Sequence, residues 1–169
     1  MLILCGHGNI QQGNSCAFGT EYEVYSKLMK DLKQETPESL KNIDNTELKT
    51  RQIKLINNNK KKDSVLIHFP INLTHNITDI SNIYYDSNSY DSIDLAYYLK
   101  DICENYQIKC NIVSTSDDKD CYKTYFDNIN NDKGLVVFEP FYLSNNGTTF
   151  TKGFSKSVEI LRDLILGKL

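Results

Sequence analysis

Two histidines and two glutamates in this chain have the types and the spacing that a metal-assisted hydrolysis needs: His7, Glu21, His68 and Glu139. Three of them end short apolar runs, Met1-Leu2-Ile3-Leu4-Cys5-Gly6-His7, Ser64-Val65-Leu66-Ile67-His68 and Gly134-Leu135-Val136-Val137-Phe138-Glu139. Glu21 stands at the start of a helical pattern. Buried strands that each end in a titratable group, with no Lys or Arg between, aim those groups at one edge of a sheet. Two imidazoles and one carboxylate leave a fourth position open on a tetrahedral zinc, which is the catalytic arrangement. A further carboxylate nearby serves as the proton acceptor for the water of such a site. The chemistry expected is that of a zinc hydrolase.

Each candidate has a plainer competitor. A lone histidine after a strand is commonly a hydrogen-bonded core residue, but the chain has only 3 histidines, and two of them end separate apolar runs. The third, His75, lies in a polar, Asn-rich segment and reads as a surface residue, with a loop ligand or transition-state helper as the lesser alternative. Glu21 competes with Glu23. Two positions apart on a helix, they point about 200° away from each other, so only one can face a metal. Either acid could instead complement the helix dipole. Glu139 ends Leu-Val-Val-Phe, where a carboxylate is costly to bury without a partner. A dication would supply that partner, and Arg51 or a lysine is the alternative. Cys5 and Cys16 flank His7, yet no orienting third group marks either as a nucleophile. Tyr84, Tyr85 and Tyr90 could stack on a sugar or peptide, although packing at a solvent edge is the commoner use of such residues.

The elements that must position these groups alternate along the chain. Leu2–Cys5 reads as a strand, and Gly8–Gly19 as an irregular glycine-rich loop. A helix is expected from about Thr20, with Tyr22, Tyr25, Leu28, Met29 and Leu32 at helical spacing, ending at Thr36-Pro37-Glu38. Ser39–Ile43 reads as a short edge strand and Thr46–Asn58 as a helix rich in good helix formers. Ser64–Ile71 has the continuous apolar character of a strand covered on both faces. Asn72–Asp91 is a long polar stretch, either functional or carrying short elements of its own. Ser92–Asn105 then predicts a helix, Lys109–Thr115 a strand, Asp117–Asn130 a helix and Leu135–Glu139 a strand that Pro140 terminates. A loop over Phe141–Phe150 leads to a last helix, Lys152–Leu166. The expected fold is α/β, a single layered domain over residues 1–169, with a twisted, largely parallel sheet flanked by helices on both faces.

Composition narrows the partners. The chain has 169 residues, 40% hydrophobic and 24% charged, which is enough for one self-sufficient core. A net charge of −3 argues against a nucleic-acid partner, and Lys60-Lys61-Lys62 reads as a solvated loop. No apolar run approaches the ~20 residues that span a bilayer, so no membrane role is expected. Met1 leads straight into a strand with no charged n-region, so the expectation is synthesis in the cytoplasm without a signal peptide. The 5 cysteines are odd in number and irregularly spaced, and are read as reduced thiols.

Taken in order, Gly6-His7-Gly8, Thr20-Glu21-Tyr22, Val65-Leu66-Ile67-His68 and Val137-Phe138-Glu139-Pro140-Phe141-Tyr142-Leu143-Ser144-Asn145 resemble the zinc-dependent N-acetylmuramoyl-L-alanine amidases of bacterial cell-wall hydrolases and phage endolysins. Glu21-Tyr22 and Phe141-Tyr142 look most like the versions in endolysins of clostridial phages. The resemblance implies His7, Glu21 and His68 as ligands of a single Zn2+ and Glu139 as catalytic base. It further implies peptidoglycan as substrate and action on the cell wall after release from the cell. A catalytic amidase domain without a wall-binding domain, acting as a monomer, is the corresponding expectation. Asn9, Pro70 and Phe141 depart from the family pattern at positions that border the groove rather than at the ligands. Two other classes stay open: a different zinc hydrolase of peptidoglycan, such as a carboxypeptidase or deacetylase, and a non-catalytic wall-binding module of the same fold.

Overall fold

Along each central strand, side chains alternate between two apolar clusters, which is how one sheet comes to be covered twice. The computed structural model describes residues 1–5, 12–35, 49–58, 63–70, 80–115, 122–129 and 134–168. Its main sheet comprises β1 (Leu2–Cys5), β4 (Ser64–Ile67), β5 (Ile80–Tyr85), β6 (Lys109–Ser114) and β7 (Leu135–Glu139), in the order β1-β4-β7-β5-β6. β1, β4 and β7 run parallel, β5 pairs antiparallel with β7, and β6 is parallel to β5. Ile3, Val65, Ile67, Ile83, Val136 and Phe138 feed one cluster. Leu2, Leu4, Leu66, Leu135 and Val137 feed the other.

Helices α1 (Glu21–Glu35), α3 (Tyr90–Asn105) and α5 (Gly147–Leu166) cover the first face through Val24, Leu28, Leu99, Ile102, Phe154 and Leu161. Helices α2 (Lys49–Asn58) and α4 (Lys123–Asn128) cover the second through Ile56, Tyr125 and Phe126. Each of these side chains contributes about 1.5–3 kcal/mol when fully withdrawn from water. The expected α/β sandwich is therefore present, with one antiparallel pairing in an otherwise parallel sheet.

Local chemistry explains where the helices start and stop. Thr20 and Glu23 form a reciprocal capping box on α1: the Thr20 N–H donates to Glu23 Oε2 at 2.8 Å, and the Glu23 N–H donates to Thr20 Oγ1 at 3.3 Å. Ser89 caps α3, Asn146 caps α5, and Gly167 closes α5 in the left-handed region at φ 63°. Asn146 is also why α5 begins at Gly147, several residues before the expected Lys152. At Gly134, a Cβ would lie 2.4 Å from the Asp91 carbonyl oxygen, so only glycine lets β7 start so close to α3. Leu135 N–H then donates to Ser92 Oγ at 3.0 Å, fastening the two elements.

The long stretch Asn72–Asp91 does carry an element of its own, β5, whose Ser81 and Asn82 are polar but buried and paired. Two expectations need correction. Strand β4 stops at Ile67 rather than Ile71, which leaves His68 just beyond the ladder. The segment ending at Gly19 includes a small hairpin of β2 (Ser15–Cys16) and β3 (Gly19–Thr20). The edge strand expected at Ser39–Ile43 lies outside the described residues. Among the described residues Cys16, Cys103 and Cys110 are free thiols. A hydrogen bond with Cys110, together with burial, pushes the Cys103 thiol far up, so it stays neutral.

Candidate active site

The C-terminal ends of β4 and β7 and the start of α1 converge at one edge of the sheet. Glu21 opens α1 and is only 2% exposed. Its Oε1 accepts the Phe69 N–H at 2.8 Å and its Oε2 accepts the Asn14 N–H at 2.8 Å. The carboxylate therefore bridges the residue after His68 and the loop before the β2–β3 hairpin. Glu23, its competitor in the sequence, is exposed and occupied in the capping box.

His68 follows β4, and its N–H donates to the Phe138 carbonyl at 3.0 Å, which keeps it alongside the residue before Glu139. Its imidazole packs against Tyr122 with ring centroids 4.9 Å apart, and edge-on to Tyr125 at 6.4 Å. Ring contacts on two sides, one tilted and one edge-on, restrict its rotation.

Glu139 ends β7, 6% exposed, opposite Asn82 of β5 in the antiparallel register. Tyr122 donates its hydroxyl to Oε1 at 2.6 Å, Asn82 donates Nδ2 to Oε2 at 2.8 Å, and Tyr84 donates to Oε2 at 3.3 Å. Asn82 Nδ2 also donates to the Tyr142 hydroxyl at 3.0 Å, while its Oδ1 accepts from Asn111 Nδ2 at 3.1 Å. These contacts orient the Asn82 amide with its donor face to the carboxylate. Burial pushes the Glu139 carboxyl above the ordinary carboxylate range; the three donors pull it back, and the charge of Glu21 adds to the upward push. All three donors are uncharged, so the expected alternative of a lysine partner does not apply among the described residues.

Of the four residues singled out in the sequence, Glu21, His68 and Glu139 thus come together. His7 and the spare candidate His75 lie outside the described residues. Among the described residues no three His, Cys, Asp or Glu side chains form a metal-sized group. The donor types nevertheless suit a dication: Glu139 feels the charge of Glu21, both carboxylates are buried, and the His68 ring packs on Tyr122, which donates to Glu139. A positive ion would offset the cost of holding two anions there.

Sequence reasoning missed Asn82 and Tyr122, quoted Tyr142 only for the resemblance, and read Tyr84 as packing at a solvent edge or a stacking surface rather than a partner of Glu139. Asn82 sits in a segment whose buried polar residues hide its strand character. Tyr122 is joined to Glu139 only by the fold. No local spacing would have revealed either.

No protein-family model matches the chain, and neither does any curated protein. Solved structures do. The N-acetylmuramoyl-L-alanine amidase from Clostridium difficile 630 superposes with a TM-score of 0.69 at 16% identity, covering 98% of this chain and 94% of that one. The catalytic domain of the CD27L endolysin targeting Clostridia difficile gives 0.66 at 16% identity over 99% and 96%. The amidase AmiC2 of Nostoc punctiforme gives 0.63 at 16% identity over 98% and 96%. At this identity the likeness establishes a shared fold, the one on which those amidases are built.

Proposed function

We propose that this chain is a zinc-dependent N-acetylmuramoyl-L-alanine amidase, cleaving the amide between the lactyl group of muramic acid and L-alanine in peptidoglycan. The carrying observation is the meeting of Glu21, His68 and Glu139 at one sheet edge in a fold shared with solved amidases. The ligands assigned to zinc are His7, Glu21 and His68, leaving Glu139 as the base. When bound, zinc acidifies water and polarises an amide carbonyl.

The remaining work belongs to the chain's own groups. A carboxylate offers about four lone-pair sites. Tyr122, Asn82 and Tyr84 occupy three of those on Glu139, which leaves one to take a proton from the attacking water. Burial favours the protonated form, so Glu139 can hold that proton and then deliver it to the leaving amine of L-alanine. Glu21 keeps its place through two backbone N–H donors. The products are a glycan strand and a free stem peptide, and the biological outcome is wall lysis by an endolysin or autolysin.

The test uses purified sacculi, followed by turbidity and by chemical labelling of newly freed L-alanine amino groups. Glu139→Gln should retain zinc by elemental analysis and lose amine release, whereas His68→Ala should lose the metal. Full activity of Glu139→Gln would refute the assignment. Release of acetate, or of a C-terminal amino acid, would redirect it to a deacetylase or a carboxypeptidase.

A further inference from the structure

The geometry points to Tyr122 as the residue that positions the Glu139 carboxylate for proton transfer, a role that rests on the amidase reading above. Its hydroxyl donates to Oε1 at 2.6 Å, the shortest of the three bonds to that carboxylate. Bonds from a hydroxyl to an ionised oxygen at this length are stronger than neutral ones. Tyr122 stands immediately before α4 and is buried. Its ring lies 4.9 Å from His68 on one side and 4.7 Å from Tyr84, edge-on, on another. Packing thus restricts the direction in which the hydroxyl can point.

The need for such a clamp follows from the length of a glutamate side chain. Three rotatable bonds separate its carboxylate from the backbone, whereas proton transfer demands placement within about 0.5 Å. Asn82 and Tyr84 both hold Oε2, and Tyr122 alone among the described residues holds Oε1. Removing its hydroxyl frees one end of the carboxylate to swing about the other. Tyr122 also contacts the His68 ring, so a single aromatic side chain spaces the assigned base from an assigned ligand. Nothing in this role requires contact with substrate. Tyr122 is a positioning residue.

Tyr122→Phe preserves the ring and its contacts while deleting the donor. On a soluble muramyl peptide, kcat should fall about tenfold or more, with KM within about twofold. Zinc content and thermal midpoint should match those of the unsubstituted chain. Tyr84→Phe, which deletes the longer bond, should cost less. In a Glu139→Gln background, Tyr122→Phe should leave the residual rate unchanged, a non-additivity that a merely structural role would not produce. Installing 4-aminophenylalanine at position 122 restores a donor and should recover most of kcat. A crystal structure of Tyr122→Phe should show the Glu139 carboxylate rotated.

A kcat within twofold in Tyr122→Phe, or an equal fractional loss in the Glu139→Gln background, would overturn the role. Absence of amine release by the unsubstituted chain would instead overturn the amidase reading, and the positioning role with it.

Discussion

At the first turn of α1, Glu21 turns inward to the backbone of Phe69 and Asn14, while Glu23 stays in water and closes a capping box with Thr20. The two acids are indistinguishable by type, and helical geometry alone says only that they face apart. Their substitutions should separate cleanly. Glu23→Ala should cost about 1 kcal/mol of stability, read as a lower urea midpoint, with wall hydrolysis retained. Glu21→Ala should release zinc, measured by elemental analysis, and abolish hydrolysis. At this scale the sequence drew attention to His68 and Glu139, because titratable groups stand out at the ends of apolar runs. The uncharged cage of Glu139 did not stand out. Tyr122, Tyr84 and Asn82 acquire their roles only from being folded against a residue 17, 55 and 57 positions away, respectively.

Among the elements, the strongly apolar strands β1, β4 and β7 were readable, as were the amphipathic helices α1, α3 and α5. Strand β5 was not. Ser81 donates its hydroxyl to the Pro140 carbonyl at 2.7 Å, and Asn82 donates to Glu139, so two polar residues are buried at no net loss of hydrogen bonding. That satisfaction is invisible to hydropathy, and it occurs where the strand serves the site. The last helix offers a test of a different kind. Burial raises the Asp163 carboxyl, but the Tyr106 hydroxyl and the Arg162 guanidinium more than offset it, and the group sits below its ordinary value. It therefore stabilises the fold above the ordinary aspartate value of about 3.9, and the contribution is lost as pH falls through the folded value. Asp163→Asn should lower the thermal midpoint at pH 7. The difference from the unsubstituted chain should shrink steadily below about pH 4, as followed by circular dichroism.

For the molecule as a whole, the two faces share every central strand, so the cluster under α1, α3 and α5 and the cluster under α2 and α4 support each other through one sheet. The fold class was legible because strand and helix patterns alternate. The reversed direction of β5 was not, since direction is set by long-range pairing rather than by local pattern. The ligands assigned to zinc come from separate segments, so binding energy should appear as folding energy. A chelator should lower the thermal midpoint of the unsubstituted chain, and added zinc should restore it. His68→Ala should be indifferent to both treatments. An unaltered midpoint in the unsubstituted chain after verified metal removal would contradict the assigned ligand set.

The order β1-β4-β7-β5-β6 puts the last strand made between partners made much earlier. Until β7 leaves the ribosome, β4 and β5 have no edge in common, and the carboxylate that Asn82 will hold lies 57 residues downstream, still to be made. At roughly 5–20 residues per second, translation from Asn82 to Glu139 takes about 3–11 s. A nascent chain therefore lacks the strand that joins the two halves of the sheet, and the hydrogen-bond cage around Glu139 closes in one step when that central seat is filled.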